Sequence, residues 1–330
     1  MISLPLLEVD SLTVDYRTRR GNIRAVNNVS FTLEKGETLG LVGESGSGKS
    51  TLGLSIIRLI PSPGVIVNGH IRIDGTDIMD LSKEKMRSIR GKKVAFVFQD
   101  PMTSLNPVKK VGAHFVELIR THEPNVSEKE PLERAEKALT DVGILPDRIN
   151  DYPHQFSGGM RQRIMIALAI ALNPDLVIAD EPTTALDVIV QAKILDLLKS
   201  LRNTYGMALI LITHDLSIVL ERCDKIIVLY AGNLVEYASS SELHRNPRHP
   251  YTQGLLKSIP NVELAQQKLE AIPGSPPNLL APPKGCRFWP RCSFAQKKCR
   301  VEEPSVIELS SGHFVRCFGE IHNHERRHKR

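Results

Sequence analysis

The stretch GESGSGKST, Gly43 to Thr51, follows directly on the apolar run TLGLV and gathers glycine and serine around one lysine. Glycine has no Cβ, so neighbouring amide N–H groups can turn inward together and approach a ligand that side chains would block. Such a row of donors suits an anion. The spacing Gly43-x4-Gly48-Lys49-Ser50 is the P-loop pattern, in which the backbone cradles phosphates, the lysine reaches the β and γ groups and the hydroxyl holds Mg2+. Its context agrees. Leu39 to Val42 predicts a strand, and TLGLSIIRLI from Thr51 a helix whose N-terminus adds a favourable dipole.

Outward from this loop, LLEVDSLTVDY, VSFTLEKGETLGLVG and HIRIDGTDI read as strands and predict an antiparallel β layer beside the nucleotide. KKVAFVFQD, PDLVIADEP, MALILITHD and DKIIVLYAG read as buried strands separated by helical patterns such as VIVQAKILDLLKSLRNTYG. That alternation predicts an α/β fold with a mostly parallel sheet. Between Gln99 and Tyr152 the pattern is helical and polar, an inserted lobe at about residues 100–160. Beyond it the style changes: nine of the 21 prolines fall between Pro247 and Pro290. The expected division is 1–240 for the nucleotide-binding domain and 241–330 for a small extension.

In LVIADEP an apolar strand ends in Asp180 and Glu181. A carboxylate at that edge can hold Mg2+ and its neighbour can orient or deprotonate a water, although a solvated acidic pair after a buried strand is common. In FSGGMRQR, Ser157 can cap a helix with the apolar face Met160, Ile164, Leu168 and Ala171, while Gly158 and Gly159 leave its first amides open to phosphate. Taken with DEPTTALD and ITHD downstream, the chain from residue 7 to 240 resembles the ABC-type ATPases. Their order of P-loop, glutamine loop, signature, acidic strand, D-loop and switch histidine is matched by Lys49, Gln99, Ser157, Asp180 with Glu181, Asp187 and His214.

The resemblance implies that ATP lies on Gly43, Glu44, Ser45, Gly46, Ser47, Gly48, Lys49, Ser50 and Thr51, with Tyr16 stacked on adenine. By position alone Tyr16 could equally be a strand tyrosine. It implies Mg2+ on Ser50, Gln99 and Asp180, Glu181 as the catalytic carboxylate, His214 as the γ-phosphate sensor, and Gln99 as the link to the helical lobe near Met102. Ser157, Gly158, Gly159 and Asp187 would serve the nucleotide of an opposing subunit, so a single copy cannot close a competent site. Met160 stands where many relatives carry glutamine and leaves the Ser-Gly-Gly core intact.

The tail narrows the expectation. NPRHPYTQGLLKSIP and IPGSPPNLLAPPKGCRFWPRCSFAQKKC are similar to the C-terminal extension of ATP-binding subunits in bacterial dipeptide and oligopeptide importers, with nickel importers as neighbours. That implies pairing with a second ABC ATPase subunit, either another copy of this chain or, as the favoured reading, a related but distinct one in a heterodimer. It also implies two membrane permease subunits, an extracytoplasmic peptide-binding protein, and a peripheral place on the cytoplasmic face of the membrane. Cys286, Cys292, Cys299 and Cys317 follow the spacing C-x5-C-x6-C-x17-C. Four soft thiolates admit Zn2+ or iron-sulfur, and the wide spacings disfavour a zinc ribbon without excluding zinc. Importer ATPases with this tail hold a [4Fe-4S] cluster, which the resemblance carries to these four residues. His313 could substitute as a ligand or be a capping histidine.

Composition sets outer bounds. At 330 residues with 41% hydrophobic and 24% charged side chains the chain can bury a sizeable core. Its longest uncharged apolar run, IMIALAIALNP from Ile164, falls short of the roughly 20 residues of a membrane span, and the N-terminus reads as no signal peptide. A net charge of +6 and a pI near 9.0 would also suit a soluble ABC ATPase acting on nucleic acid or ribosomes. Part of that charge is the HERRHKR tail, read as disordered, and no coiled coil or second P-loop accompanies it, so no direct nucleic-acid contact is expected.

Overall fold

The computed structural model describes residues 4–100, 104–184, 186–259 and 271–319; Met102 and the basic tail beyond Asn323 lie outside them. Two sheets form. Strand β1, Leu7–Thr18, pairs antiparallel with β2, Gly21–Leu33, and on its other edge with β4, Gly64–Ile73, which carries the short β5, Thr76–Asp77. Val26, Val29, Phe31 and Leu33 turn one face of β2 into the core while intervening side chains meet solvent, the alternation of a half-buried antiparallel layer.

The second sheet runs β11-β12-β10-β9-β3-β8-β7-β6. Its parallel part is β9, Lys225–Tyr230; β3, Thr38–Val42; β8, Ala208–Thr213; β7, Leu176–Asp180; and β6, Val94–Val97. These strands are apolar almost throughout because both faces are covered. Leu209 and Leu211 of β8 join the core on one face, whereas Ala208, Ile210 and Ile212 join the core on the other. The C-terminal ends of β3, β7 and β8 lie side by side, the usual place for a ligand in an open α/β sheet.

Nine α-helices with described bounds complete the fold: α1, Lys49–Ile56; α2, Lys83–Ile89; α3, Val111–His122; α4, Glu130–Asp141; α5, Gly158–Ile170; α6, Val188–Tyr205; α7, Leu216–Arg222; α8, Ser240–Arg245; and α9, Pro250–Lys257. Helix α1 starts two residues before the expected Thr51, since Gly48 at φ 102 ends the loop and lets Lys49 enter the helix. It also stops at Ile56, well short of Ile60, as Arg58 takes a left-handed φ of 50.

Helix α5 departs further from expectation. The sequence predicts a stripe of Met160, Ile164, Leu168 and Ala171, but Met160 and Leu168 are only partly buried, and Gln162, Met165, Ile166, Ala167 and Ile170 go inside with Ile164 and Ala171. The physical reason is its position. Helices α3, α4 and α6 and strand β6 all pack on it, so burial extends around most of its circumference.

The sheet continues across residue 240. Antiparallel β10, Asn233–Ser239, pairs with β12, His313–Val315, which pairs with β11, Ile307–Ser310. Beneath this edge the fully buried Glu236 accepts the N–H groups of Arg248 at 2.6 Å and His249 at 2.9 Å and lies 2.8 Å from Nε2 of His313. A buried carboxylate is tolerated there because both oxygens are partnered.

Candidate functional site

An open cleft of about 850 Å³ lies over the strand ends and is lined by the whole of Glu44 to Thr51, with Tyr16, Gln99, Glu181 and His214. Gly43 sits just beneath, where a Cβ would come within 2.1 Å of the Leu229 carbonyl; at Gly48 it would come within 2.2 Å of the Ala25 carbonyl. Only glycine allows the loop to lie this deep. Ser45 and Gly46 are exposed at the rim, whereas Ser47 is buried and its hydroxyl has no partner. That hydroxyl lies beneath the loop, 2.8 Å from where a Cβ on Gly43 would stand.

Lys49 Nζ donates to the carbonyls of Gly43 at 2.8 Å and Glu44 at 3.1 Å. Burial pushes its ammonium below the usual lysine range, and the charges of Glu181, Asp180 and Glu44 oppose that shift. Ser50 Oγ donates to Asp180 Oδ1 at 3.1 Å across 130 residues of sequence. Burial raises the Asp180 carboxyl; the Ser50 hydrogen bond counters it, Glu181 adds to it, and Lys49 opposes it. A hydroxyl and a carboxylate in contact, with the Gln99 amide at the same cleft, are hard oxygen donors that fit Mg2+.

Glu181 is the meeting point. Its Oε2 accepts from Gln99 Nε2 at 3.2 Å and from Thr184 Oγ1 at 2.9 Å, and lies 3.5 Å from His214 Nδ1. Its backbone holds φ 43, an uncommon conformation for a residue other than glycine, fixed by its amide donating to the Ile212 carbonyl at 2.9 Å. Tyr16 stands at the far wall with its hydroxyl 3.3 Å from Thr51 Oγ1. Thr184 was absent from the sequence-based set, although its place three residues after Glu181 puts it within reach.

Four expected residues are not brought to this cleft. Ser157 and Gly158 are exposed and Gly159 is half-buried at the start of α5, where Ser157 Oγ accepts the Met160 N–H at 3.4 Å. Asp187 is exposed and caps α6, accepting the Val190 N–H at 2.9 Å. A Cβ on Gly159 would press within 2.7 Å of Val190 Cγ1, so the two helix starts pack together.

Sequence reasoning also missed the reach of the chain beyond residue 240. Leu255 and Leu279 line the cleft, Tyr251 Oη accepts the Glu44 N–H at 2.9 Å, and Arg291 Nη1 lies 3.0 Å from both Glu44 carboxylate oxygens. No periodicity marks these residues; the only signal is two arginines inside CRFWPRC.

The four clustered cysteines are free thiols with Cys299 buried and the others half-buried. The Cys286 amide donates to the Cys299 carbonyl at 2.9 Å, so the chain folds back between them. Burial pushes the Cys286 and Cys292 thiols up to about 11 and also raises Cys317, and neighbouring cysteines add to each shift. Among the described residues no three or more His, Cys, Asp or Glu side chains are gathered closely enough to hold a metal ion. His313 turns to Glu236 instead.

Fold and cleft together define a P-loop ATPase of the ABC type. The ABC transporter family model matches residues 26–184, and that for the C-terminal region of oligopeptide/dipeptide transporters matches 235–299. The oligopeptide transport ATP-binding protein OppD of Bacillus subtilis is 48% identical over 315 residues, covering 94% of this chain and 88% of that one. The dipeptide transport ATP-binding protein DppD of Escherichia coli is 45% identical over 317 residues, covering 95% and 96%. A solved dimeric ATP-binding cassette in a post-hydrolysis state with ADP and Pi superposes with a TM-score of 0.64 at 31% identity, over 71% of this chain and 98% of that one. The chain belongs to the ABC transporter ATP-binding proteins, in their oligopeptide/dipeptide branch. Among the described residues no helix is long and apolar enough to cross a membrane.

Proposed function

We propose that this chain is the ATP-hydrolysing subunit that powers uptake of dipeptides or oligopeptides through a membrane ABC importer. The observation that carries the reading is a complete P-loop cleft continuous with a C-terminal region of the oligopeptide/dipeptide type. ATP enters with adenine on Tyr16 and its phosphates on the amides of Gly43 to Thr51, and Lys49 turns from its loop carbonyls to the β and γ groups. Ser50, Asp180 and Gln99 would hold Mg2+, which would neutralise charge on the phosphates. Glu181 orients the attacking water and takes its proton, with Gln99, Thr184 and His214 fixing the carboxylate.

The exposed Ser157, Gly158, Gly159 and Asp187 face a second ATPase subunit and complete its nucleotide site. The partner is a related but distinct chain, and the pair sits on two permease subunits at the cytoplasmic face, supplied by an extracytoplasmic peptide-binding protein. ATP binding closes the pair, hydrolysis reopens it, and the helical lobe passes the motion to the permeases. Vesicles reconstituted with all these subunits are expected to take up labelled peptide only with ATP. Uptake of nickel but not peptide, or full transport with this chain as the sole ATPase, would overturn the substrate or the heterodimer respectively.

A second proposal concerns the division at residue 240 and the cysteines. The extension acts as a small metal-binding unit in which Cys286, Cys292, Cys299 and Cys317 ligate one [4Fe-4S] cluster of structural role. Its support is the count of four soft thiols in a segment rich in proline and poor in apolar side chains. Anaerobically purified protein is expected to carry about four irons per chain. Stoichiometric zinc in a colourless product would replace the cluster with Zn2+.

A further inference from the structure

The loop from Cys286 to Cys292 sends two arginines to two sides of the P-loop. Arg291 is nearly enclosed, its side chain 6% exposed, yet its guanidinium is used on every edge. Besides Glu44, it donates through Nη1 to Tyr230 Oη at 3.4 Å, through Nε to the Pro273 carbonyl at 2.8 Å and through Nη2 to the Ile272 carbonyl at 3.4 Å. Such a saturated planar fork holds its acceptors in one arrangement, which a flexible ammonium cannot do.

Glu44 is in turn the residue on which the loop hangs. Its carboxylate is held by Arg291, its N–H by Tyr251 Oη, and its carbonyl accepts from Lys49. Arg287 works on the opposite side, donating through Nη1 to the carbonyls of Ala231 and, at 3.3 Å, Arg24. The neighbouring Gly232 N–H donates to the Ser47 carbonyl at 2.9 Å. Each arginine is the immediate sequence neighbour of a cysteine.

We propose that the Cys286–Cys292 loop is a clamp on the nucleotide site: Arg291 through Glu44, and Arg287 through the Ala231–Gly232 turn, hold the P-loop in the shape that receives phosphate. Both are positioning residues for ATP binding. The proposal rests on the reading of this cleft as the ATP site. Coupling of this kind is reciprocal, so bound nucleotide also steadies the loop.

The full-length chain is titrated with a fluorescent ATP analogue, alongside its thermal midpoint. Losing a buried charge-assisted contact should weaken nucleotide binding in Arg291→Ala by about tenfold or more. Glu44→Ala should match it, the double variant should be no worse than either single one, and Arg291→Lys should recover part of the loss. ATP should raise the thermal midpoint of the wild type by more than that of Arg291→Ala. If Arg291→Ala fails to fold, Glu44→Ala, at a half-exposed site, carries the test. A residue that merely pins the tail would lower the thermal midpoint and leave affinity within about twofold, and that result in both single variants overturns the clamp. A wild-type chain that binds no nucleotide overturns instead the reading of the cleft.

Discussion

Gln99 donates through Nε2 to Oε2 of Glu181 at 3.2 Å, tying the edge of the helical lobe to the end of β7. The same oxygen is reached by Thr184 and approached by His214, so the Glu181 carboxylate is positioned from three directions. Glu181→Gln keeps the size and an acceptor oxygen but removes the base. Hydrolysis is expected to fall by about 10²–10⁴-fold with ATP binding retained, and an ATP-dependent dimer should accumulate with the partner subunit on gel filtration. Unchanged turnover without extra dimer would remove Glu181 from the mechanism.

Lys49 presents a different failure. Its ammonium is buried and already depressed by that burial, and it is held by two loop carbonyls and three nearby carboxylates. Lys49→Ala deletes the point charge aimed at the β and γ phosphates while leaving the amide cradle. Turnover should drop by at least about a hundredfold. Wild-type ATPase rates in that variant would exclude the loop as the phosphate site.

The two inner glycines of the loop should separate cleanly. Gly48 holds φ 102, and an added Cβ would lie 2.2 Å from the backbone carbonyl of Ala25, which cannot swing aside. Gly48→Ala should cost about 1–3 kcal/mol of stability and abolish nucleotide protection in a thermal shift. Gly46 holds φ 76 with nothing within 4 Å of the added atom. Gly46→Ala should therefore lower stability only by the conformational cost of about 1–2 kcal/mol.

What could be read from the chain was local. The P-loop, the strand ending in Asp180 and Glu181, and the ITHD strand each announce themselves in a few contiguous residues, because a buried parallel strand must be apolar and a phosphate loop must be glycine-rich. Their gathering at one sheet edge follows from the βα alternation. Helix α5 defeated a simple stripe since its environment is set by three other helices and a strand, which periodicity does not encode. Arg291 and Glu44 are 247 residues apart, and β12 joins β10 across the proline-rich stretch. Pairings over such distances are fixed by the assembled surface, so nothing in either segment alone signals them. The four cysteines show the reverse case: a legible spacing whose side chains are not drawn tightly together in the fold.

Acid should weaken the fold through one buried histidine. His249 is fully buried at the start of α9, where its Nδ1 accepts the Tyr251 N–H at 3.1 Å and the ring packs on Phe288. Burial holds its pKa down at about 4, below the ordinary 6.5, with the Glu236 carboxylate opposing only part of the shift. A base whose folded pKa is depressed takes up its proton more readily when unfolded. Stability from this group is therefore intact above pH 6.5 and lost progressively as the pH falls toward about 4. At pH 5 the loss should be about 2 kcal/mol. Protonation would also remove the lone pair that caps α9, the helix whose Tyr251 hydroxyl accepts the Glu44 N–H, so nucleotide affinity should weaken over the same window. His249→Asn keeps a capping oxygen without a titrating group. Chemical denaturation between about pH 7.5 and about pH 5 should show a shallower decline in that variant than in the wild type. Parallel declines would assign the acid sensitivity to other groups.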